Sequence, residues 1–313
     1  MWHGGQYRCH VRVAAVQLAT TLDPGENRRL VAERLDAAAS GGATLVVFPE
    51  ATMATFGGAS FDLSSVAEPL DGSFVSALAE GARRYGVTVV AGMFEQVGGG
   101  AAGAAAGVAG AAGVAGGAGV AGVAAGVAGA AGAAGASRRA YNTVVVVGPG
   151  GLLGAYRKLH LFDALGARES DRVAAGDPET GIVTVPLVEG LVLGVMTCYD
   201  LRFPESARAL VDRGATVLAL PAHWYNGPGK ADVWKTLVRA RAIESTAYVV
   251  AAGKPEDEAV GRSMVVDPSG EVLVELGGKE EDVAFADVSP ARVSAVRTML
   301  PVLEHRRFGI VAR

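Results

Sequence analysis

Three residues stand where their types and surroundings could do chemistry. Cys198 lies in GVMTCYDLRFPE (194–205), at the end of the apolar run from Leu191 to Thr197. Glu50 ends TLVVFPE (44–50), and Lys158 lies in YRKLHLFD (156–163). A lone cysteine after an apolar strand is ordinarily a small core residue. Here the chain turns abruptly into Tyr199-Asp200-Leu201-Arg202, and Phe203-Pro204-Glu205 opens a helix. A strand-to-helix turn exposes a nucleophile and aims backbone N–H groups at it. Such groups lower a thiol's pKa and can hold an oxyanion. Taken alone, Glu50 reads equally well as an exposed carboxylate at a strand end, and Lys158 as a surface lysine. Together, the three residues sit at the C-terminal ends of predicted buried strands, where α/β folds assemble their sites. A buried carboxylate with a raised pKa would take the thiol proton. An ammonium would stabilise the thiolate and a tetrahedral oxyanion. Histidine is the more usual partner of a reactive thiol. His3, His10, His160, His223 and His305 lie in no cysteine-protease signature, so a Cys–His mechanism has no support in the sequence.

These residues need elements to hold them. Apolar, β-branched runs alternate with helical patterns along the chain. Strands are predicted over 11–19, 44–50, 87–95, 191–198, 215–222 and 248–254. Two more flank a turn within 141–158, a hairpin covers 264–276, and a last strand covers 283–288. Helices are predicted over Pro24–Ser40, Ser73–Tyr85, Pro204–Arg213 and Ala231–Thr246. Asp23 is a natural N-cap before Pro24, and Gly41-Gly42 follow that helix's end. The alternation predicts an α/β fold with sheets covered by helices. It forms one domain over 11–288, since a cut between Glu50 and Cys198 would divide the candidate site. The segment 289–313 is read as a C-terminal arm or tail.

Bulk properties exclude several classes. The 313 residues carry a formal net charge of −4, which gives no sign of a nucleic-acid partner. Cys9 and Cys198 are the two cysteines, too few for a disulfide framework. The start, MWHGGQYRCH, lacks the apolar core of a signal peptide, so a reducing, cytoplasmic setting is expected. No zinc-type spacing is present, and no metal or cofactor is expected. Val97 to Ala136 contains only Ala, Gly and Val. This tract is longer than the roughly 20 residues of a membrane span. Its many glycines would weaken a helix, it lacks Leu, Ile and Phe, and it separates two strands of one fold. It is read as a flexible insertion at a hairpin tip, where long loops cost little. An Ala-rich helix and a self-association segment are the alternatives.

FPE (48–50), YRKLHLFD and GVMTCYDLRFPE, in that order, resemble the nitrilase superfamily of carbon–nitrogen hydrolases. AAVQLA near the start, GPGKADVWKTLVRARAIESTAYVVAAGK (227–254) and GRSMVVDPSGEVL (261–273) extend the resemblance from about Val11 to Val288. It is greatest to the Nit-type branch, with its omega-amidases and deaminated-glutathione amidases. The resemblance implies an α-β-β-α sandwich that dimerises into α-β-β-α-α-β-β-α. It implies Glu50 as general base, Cys198 as nucleophile, and Lys158 with the Tyr199 backbone N–H as oxyanion stabilisers. Glu169, in ARESD (167–171), matches a second glutamate of many members. The implied reaction is hydrolysis of a small linear amide through a thioester, without a cofactor, in a homodimer or higher oligomer. An N-carbamoyl hydrolase, a nitrilase and a non-catalytic scaffold with a relic core are the alternatives. His223, Trp224 and Tyr225 either line the pocket or form a packed turn. Arg202 is expected to pair with Glu205 or another carboxylate, with a substrate carboxylate as the second reading. Asp200 is expected to stabilise the turn.

Overall fold

The computed structural model describes residues 10–98, 139–188, 190–255 and 259–311. Most of the Ala/Gly/Val tract and Cys9 lie outside the described residues. In chain order the elements begin with β1 (Val11–Gln17), α1 (Pro24–Ser40), β2 (Leu45–Val47), α2 (Ser73–Tyr85) and β3 (Thr88–Gln96). Then come β4 (Ala140–Gly148), β5 (Gly151–Arg157), β6 (Val173–Ala174), β7 (Thr184–Val188), β8 (Leu191–Val195) and α3 (Pro204–Asp212). The last are β9 (Val217–Pro221), α4 (Lys230–Ser245), β10 (Tyr248–Ala252), β11 (Met264–Val266), β12 (Val272–Glu275), β13 (Asp282–Val288) and α5 (Pro290–Met299). Asp23 caps α1 as its type predicts, its side chain accepting the Gly25 N–H at 2.7 Å.

The strands form two sheets. One runs β13-β1-β2-β3-β4-β5, with β6 on β4, and the other β12-β11-β10-β9-β8-β7. Strand residues alternate between faces with period two. Val13 and Ala15 of β1, with Leu45 and Val47 of β2, face the space between the sheets. There they meet Leu193, Val217 and Val250 of the second sheet. Ala14, Val16 and Val46 face the other way, onto Val31 and Leu35 of α1 and Phe74 and Leu78 of α2. On the far side, Leu218 and Leu220 of β9 meet Leu210 of α3 and Trp234 and Val238 of α4. The result is four layers, α-β-β-α, as expected.

Two differences from the expected elements matter for the site. The strand predicted to reach Cys198 ends at Val195, and a 3-10 turn, Cys198–Arg202, begins at the cysteine itself. The strand predicted to reach Glu50 ends at Val47. Phe48 still donates its N–H to the Val90 carbonyl, but Pro49 has no N–H to continue the ladder, so the chain leaves the sheet ahead of the carboxylate. Beyond Val288, α5 is capped by the Ser289 hydroxyl, which accepts the Arg292 N–H, and it buries Val293 and Val296.

Candidate active site

The three segments that leave the sheets converge. Ala51, directly after Glu50, has φ +52°, and Cys198 has φ +45°. Both non-glycine residues are in the left-handed region, a conformation that tends to persist at functional sites. Gly92 on β3 makes room for the first of these turns, since a Cβ there would lie 2.5 Å from the Ala51 nitrogen. Thr197 anchors the second turn by donating its hydroxyl to the Pro221 carbonyl at 2.8 Å. Lys158 follows β5 and donates its backbone N–H to the Asn142 carbonyl at 2.8 Å.

Lys158 is the centre of the constellation. Its Nζ donates to Glu50 Oε1 at 2.9 Å and to Glu169 Oε2 at 2.9 Å and Oε1 at 3.1 Å. Asn142 Nδ2 bridges the same two carboxylates, at 2.8 Å to Glu50 Oε1 and 3.1 Å to Glu169 Oε1. The His223 N–H donates to Glu50 Oε2 at 2.9 Å, and the Phe162 N–H to Glu169 Oε2 at 2.6 Å. Cys198 Sγ lies 3.5 Å from the His223 carbonyl. Side chains this deep must be paired, and these are: Glu50 is 1% exposed, Lys158 2%, Cys198 8% and Glu169 9%.

The electrostatics correct one expectation. Burial alone would raise the Glu50 carboxyl, as the sequence suggested. The Lys158 charge outweighs it, and with hydrogen bonds from Lys158, Cys198 and Asn142 holds the group at about 2. Burial pushes the Cys198 thiol well up, and the Glu50 charge adds to this against the pull of Lys158. Burial lowers the Lys158 ammonium, but the Glu169 and Glu50 charges more than compensate and raise it well above its ordinary value. The resting site is therefore carboxylate, ammonium and neutral thiol.

A cavity of about 480 Å³ opens onto these groups and is lined by Glu50, Lys158, Glu169 and Cys198. Tyr199, Arg202, His223, Trp224 and Tyr225 also line it, so the turn after β9 belongs to the pocket wall. His223 and Tyr225 pack ring to ring at 5.2 Å, so that turn is packed as well. Arg202 does not pair with Glu205. Among the described residues it makes no ion pair, and its guanidinium lies 4.9 Å from the Trp224 ring centroid. Lys230 Nζ lies 6.0 Å from the same centroid and also lines the cavity. Asp200 stabilises the turn, accepting the Thr197 N–H at 2.9 Å.

Sequence reasoning missed Asn142, Lys230 and the backbone of His223. Asn142 left a signal, a lone amide opening the apolar run NTVVVV, since a buried amide needs partners. Lys230 at a helix start and the peptide groups of His223 left none.

The chain is similar to known proteins along most of its length. The carbon-nitrogen hydrolase family model matches residues 12–298. A hydrolase of Mycobacterium tuberculosis is 35% identical over 313 aligned positions, covering 95% of each chain. A deaminated glutathione amidase of Escherichia coli O157:H7 is 45% identical over 171 residues, 55% of this chain and 64% of that protein. A CN-hydrolase superfamily protein of Xanthomonas campestris, crystallised with an arsenic adduct in its active site, superposes with a TM-score of 0.75. That structure is 25% identical and covers 97% of this chain and 99% of its own. The two-sheet sandwich, the match along nearly the whole chain and the full-length relative converge on one assignment: the chain belongs to the carbon-nitrogen hydrolase family and is an enzyme.

Proposed function

We propose that this enzyme hydrolyses the C–N bond of a small linear amide bearing a carboxylate, with Cys198 as nucleophile. One observation carries the reading: Lys158 is clamped between two buried carboxylates beside a thiol held on a strained turn. Because the thiol is neutral at rest, its ionisation and attack are concerted. The Cys198 proton passes to Glu50 as sulfur bonds to the amide carbon, and the carbonyl electrons move onto oxygen. Lys158 and the Tyr199 backbone N–H, at the start of a turn where N–H groups lack partners within the turn, stabilise that oxyanion. The C–N bond then breaks, and Glu50 returns its proton to the leaving nitrogen. Water attacks the thioester, losing a proton to Glu50; the C–S bond breaks, and Glu50 reprotonates the sulfur as the acid leaves. Glu169 and Asn142 hold Lys158 and Glu50 in register throughout. The scheme needs no cofactor.

The experiment is ammonia release from a panel of small amides, N-carbamoyl compounds and nitriles, with the protein and its Cys198→Ala variant. Release from the first and none from the second is expected, with hydroxamate formed when hydroxylamine competes with water. Turnover by Cys198→Ala, or product without any trappable thioester, would refute the scheme.

The carboxylate preference rests on Arg202 and Lys230, which line the cavity and have no carboxylate partner among the described residues. Arg172 also lines it without one, but its guanidinium is taken up by the Phe56, Gly58 and Phe61 carbonyls. A charge-assisted hydrogen bond is worth about 1.5–3 kcal/mol. Arg202→Met therefore raises KM for carboxylate-bearing amides about 10- to 100-fold, with kcat and neutral amides little changed. Equal losses on charged and neutral amides would show that Arg202 does not read the carboxylate.

The same reading makes 11–288 one catalytic domain, with 97–136 inserted between β3 and β4 and 289–313 as an arm. A homodimer or higher oligomer in a reducing cytoplasm completes it. Exposed Ile243 on α4 and Met299, Leu300 and Phe308 near the C-terminus support a subunit contact. No helix among the described residues is long and apolar enough to cross a membrane.

A further inference from the structure

Tyr156 and His160 flank Lys158 at two residues on either side, and Asp200 follows Cys198 by two. The structure interlocks the two triplets. The Tyr156 hydroxyl donates to Asp200 Oδ2 at 2.6 Å, and the Thr197 N–H donates to the same oxygen at 2.9 Å. On Asp200 Oδ1, His160 Nδ1 lies at 2.7 Å and the His160 N–H at 3.4 Å. Asp200 has 0% exposure, and its contacts with Tyr156 and Thr197 are buried while those with His160 are partly buried. Burial and then the Asp200 charge raise the Tyr156 phenol well above its ordinary value, which keeps it a donor. The Tyr156 oxygen in turn accepts the Leu159 N–H at 3.2 Å. The far side of the His160 ring is fixed too: it stacks on Phe203, next to the 3-10 turn, with centroids 3.8 Å apart and planes 9° from parallel.

None of these groups is assigned a chemical step. Their shared property is connectivity. Lys158 arrives from the first sheet and Cys198 from the second, so no backbone ladder sets the distance between them. Asp200 accepts from both segments at once, two donors coming from His160, one from Tyr156 and one from Thr197. A displacement of about 1 Å between catalytic groups can cost 10²-fold in rate.

We propose that Tyr156, His160 and Asp200 are positioning residues that clamp the lysine segment to the cysteine turn and set the Lys158–Cys198 geometry. The proposal rests on the catalytic reading of Lys158 and Cys198. A clamp of this kind acts on the reacting groups and not on the Arg202 and Lys230 side of the cavity. Its loss therefore falls on kcat.

The test is steady-state kinetics of Tyr156→Phe, His160→Phe and Asp200→Asn on the best amide, beside Cys198→Ala, with thermal melts of each. Tyr156→Phe and His160→Phe keep a ring in place and remove one donor each, so they report even if Asp200→Asn fails to fold. The expected result is a kcat about 10- to 100-fold down in each folded variant and KM within about twofold, with the two ring variants melting a few degrees lower for the lost hydrogen bond to a buried carboxylate but fully folded at the assay temperature. Wild-type kcat in both ring variants, with Cys198→Ala inactive, would overturn the clamp and spare the catalytic reading. Parallel loss of kcat, KM and melting temperature would also overturn it, showing a general packing role. An active Cys198→Ala would instead sink the catalytic reading on which the clamp depends.

Discussion

Glu50→Gln lowers kcat on the order of 10⁴-fold, the upper end for a general acid–base group, and leaves KM nearly unchanged. The size follows from how often the scheme uses this one carboxylate: it takes the thiol proton, gives it to the leaving nitrogen, and takes another from water. The substitution also has a structural cost that its similar shape hides. Glu50 Oε1 accepts from Lys158 and Asn142, and Oε2 accepts the His223 N–H at 2.9 Å. A carboxylate satisfies donors on both oxygens, whereas a carboxamide offers a single acceptor atom. With its oxygen toward Lys158, the glutamine NH₂ faces the His223 N–H, and a buried donor loses its partner. That costs about 1–3 kcal/mol. Ammonia-release kinetics and urea unfolding of one preparation check both parts. A kcat within tenfold of the parent would mean that Glu50 is not the acid–base group, however well it is placed.

The legible part of this site was its cast, and the illegible part was the state of that cast. Glu50 and Cys198 are recognisable because each follows an apolar β-branched run, and Lys158 because it ends the second strand of a predicted hairpin. The α1 boundaries are legible because Asp23, Pro24 and Gly41 act locally. The pKa of Glu50 was misread because it depends on a lysine 108 positions away, and burial alone points to the wrong sign. β7 was missed because Pro186 interrupts it and it lies at the edge of its sheet. α5 was missed because only Val293 and Val296 of its ten residues are buried, too sparse a stripe to read as a helix face. Arg202 looked like half of a local ion pair with Glu205. The turn that begins at Cys198 sends the guanidinium over Trp224 instead.

The second large effect comes from the same pairing of charges, and it shows in stability as well as rate. Lys158→Met removes the cation from two buried carboxylates, and kcat falls on the order of 10³-fold for want of an oxyanion partner. In the parent, Glu50 has a folded value near 2 against 4.5 for the free group. Its stabilising contribution is therefore present above pH 4.5 and lost as pH falls toward 2, on the order of 3 kcal/mol in all. Lys158, raised above 10.5, contributes stability that is present below that pH and lost only in strong alkali. Between pH 5 and 8 neither group changes protonation, so the pair adds no slope. Removing Lys158 leaves burial as the largest influence on Glu50, and the folded value moves above the unfolded one. The sign reverses: the variant is most stable in acid and loses stability as pH rises through the new folded value. At pH 7 the uncompensated charge costs about 3–5 kcal/mol, the usual penalty for breaking a buried pair. Urea midpoints of both proteins at pH 5, 6, 7 and 8 test this directly, because titrations common to both cancel in the difference. The gap between the two proteins is expected to widen from pH 5 to pH 8. Parallel midpoints across that range would show that Glu50 does not depend on Lys158 for its charge, and the resting state of carboxylate, ammonium and neutral thiol would have to be abandoned.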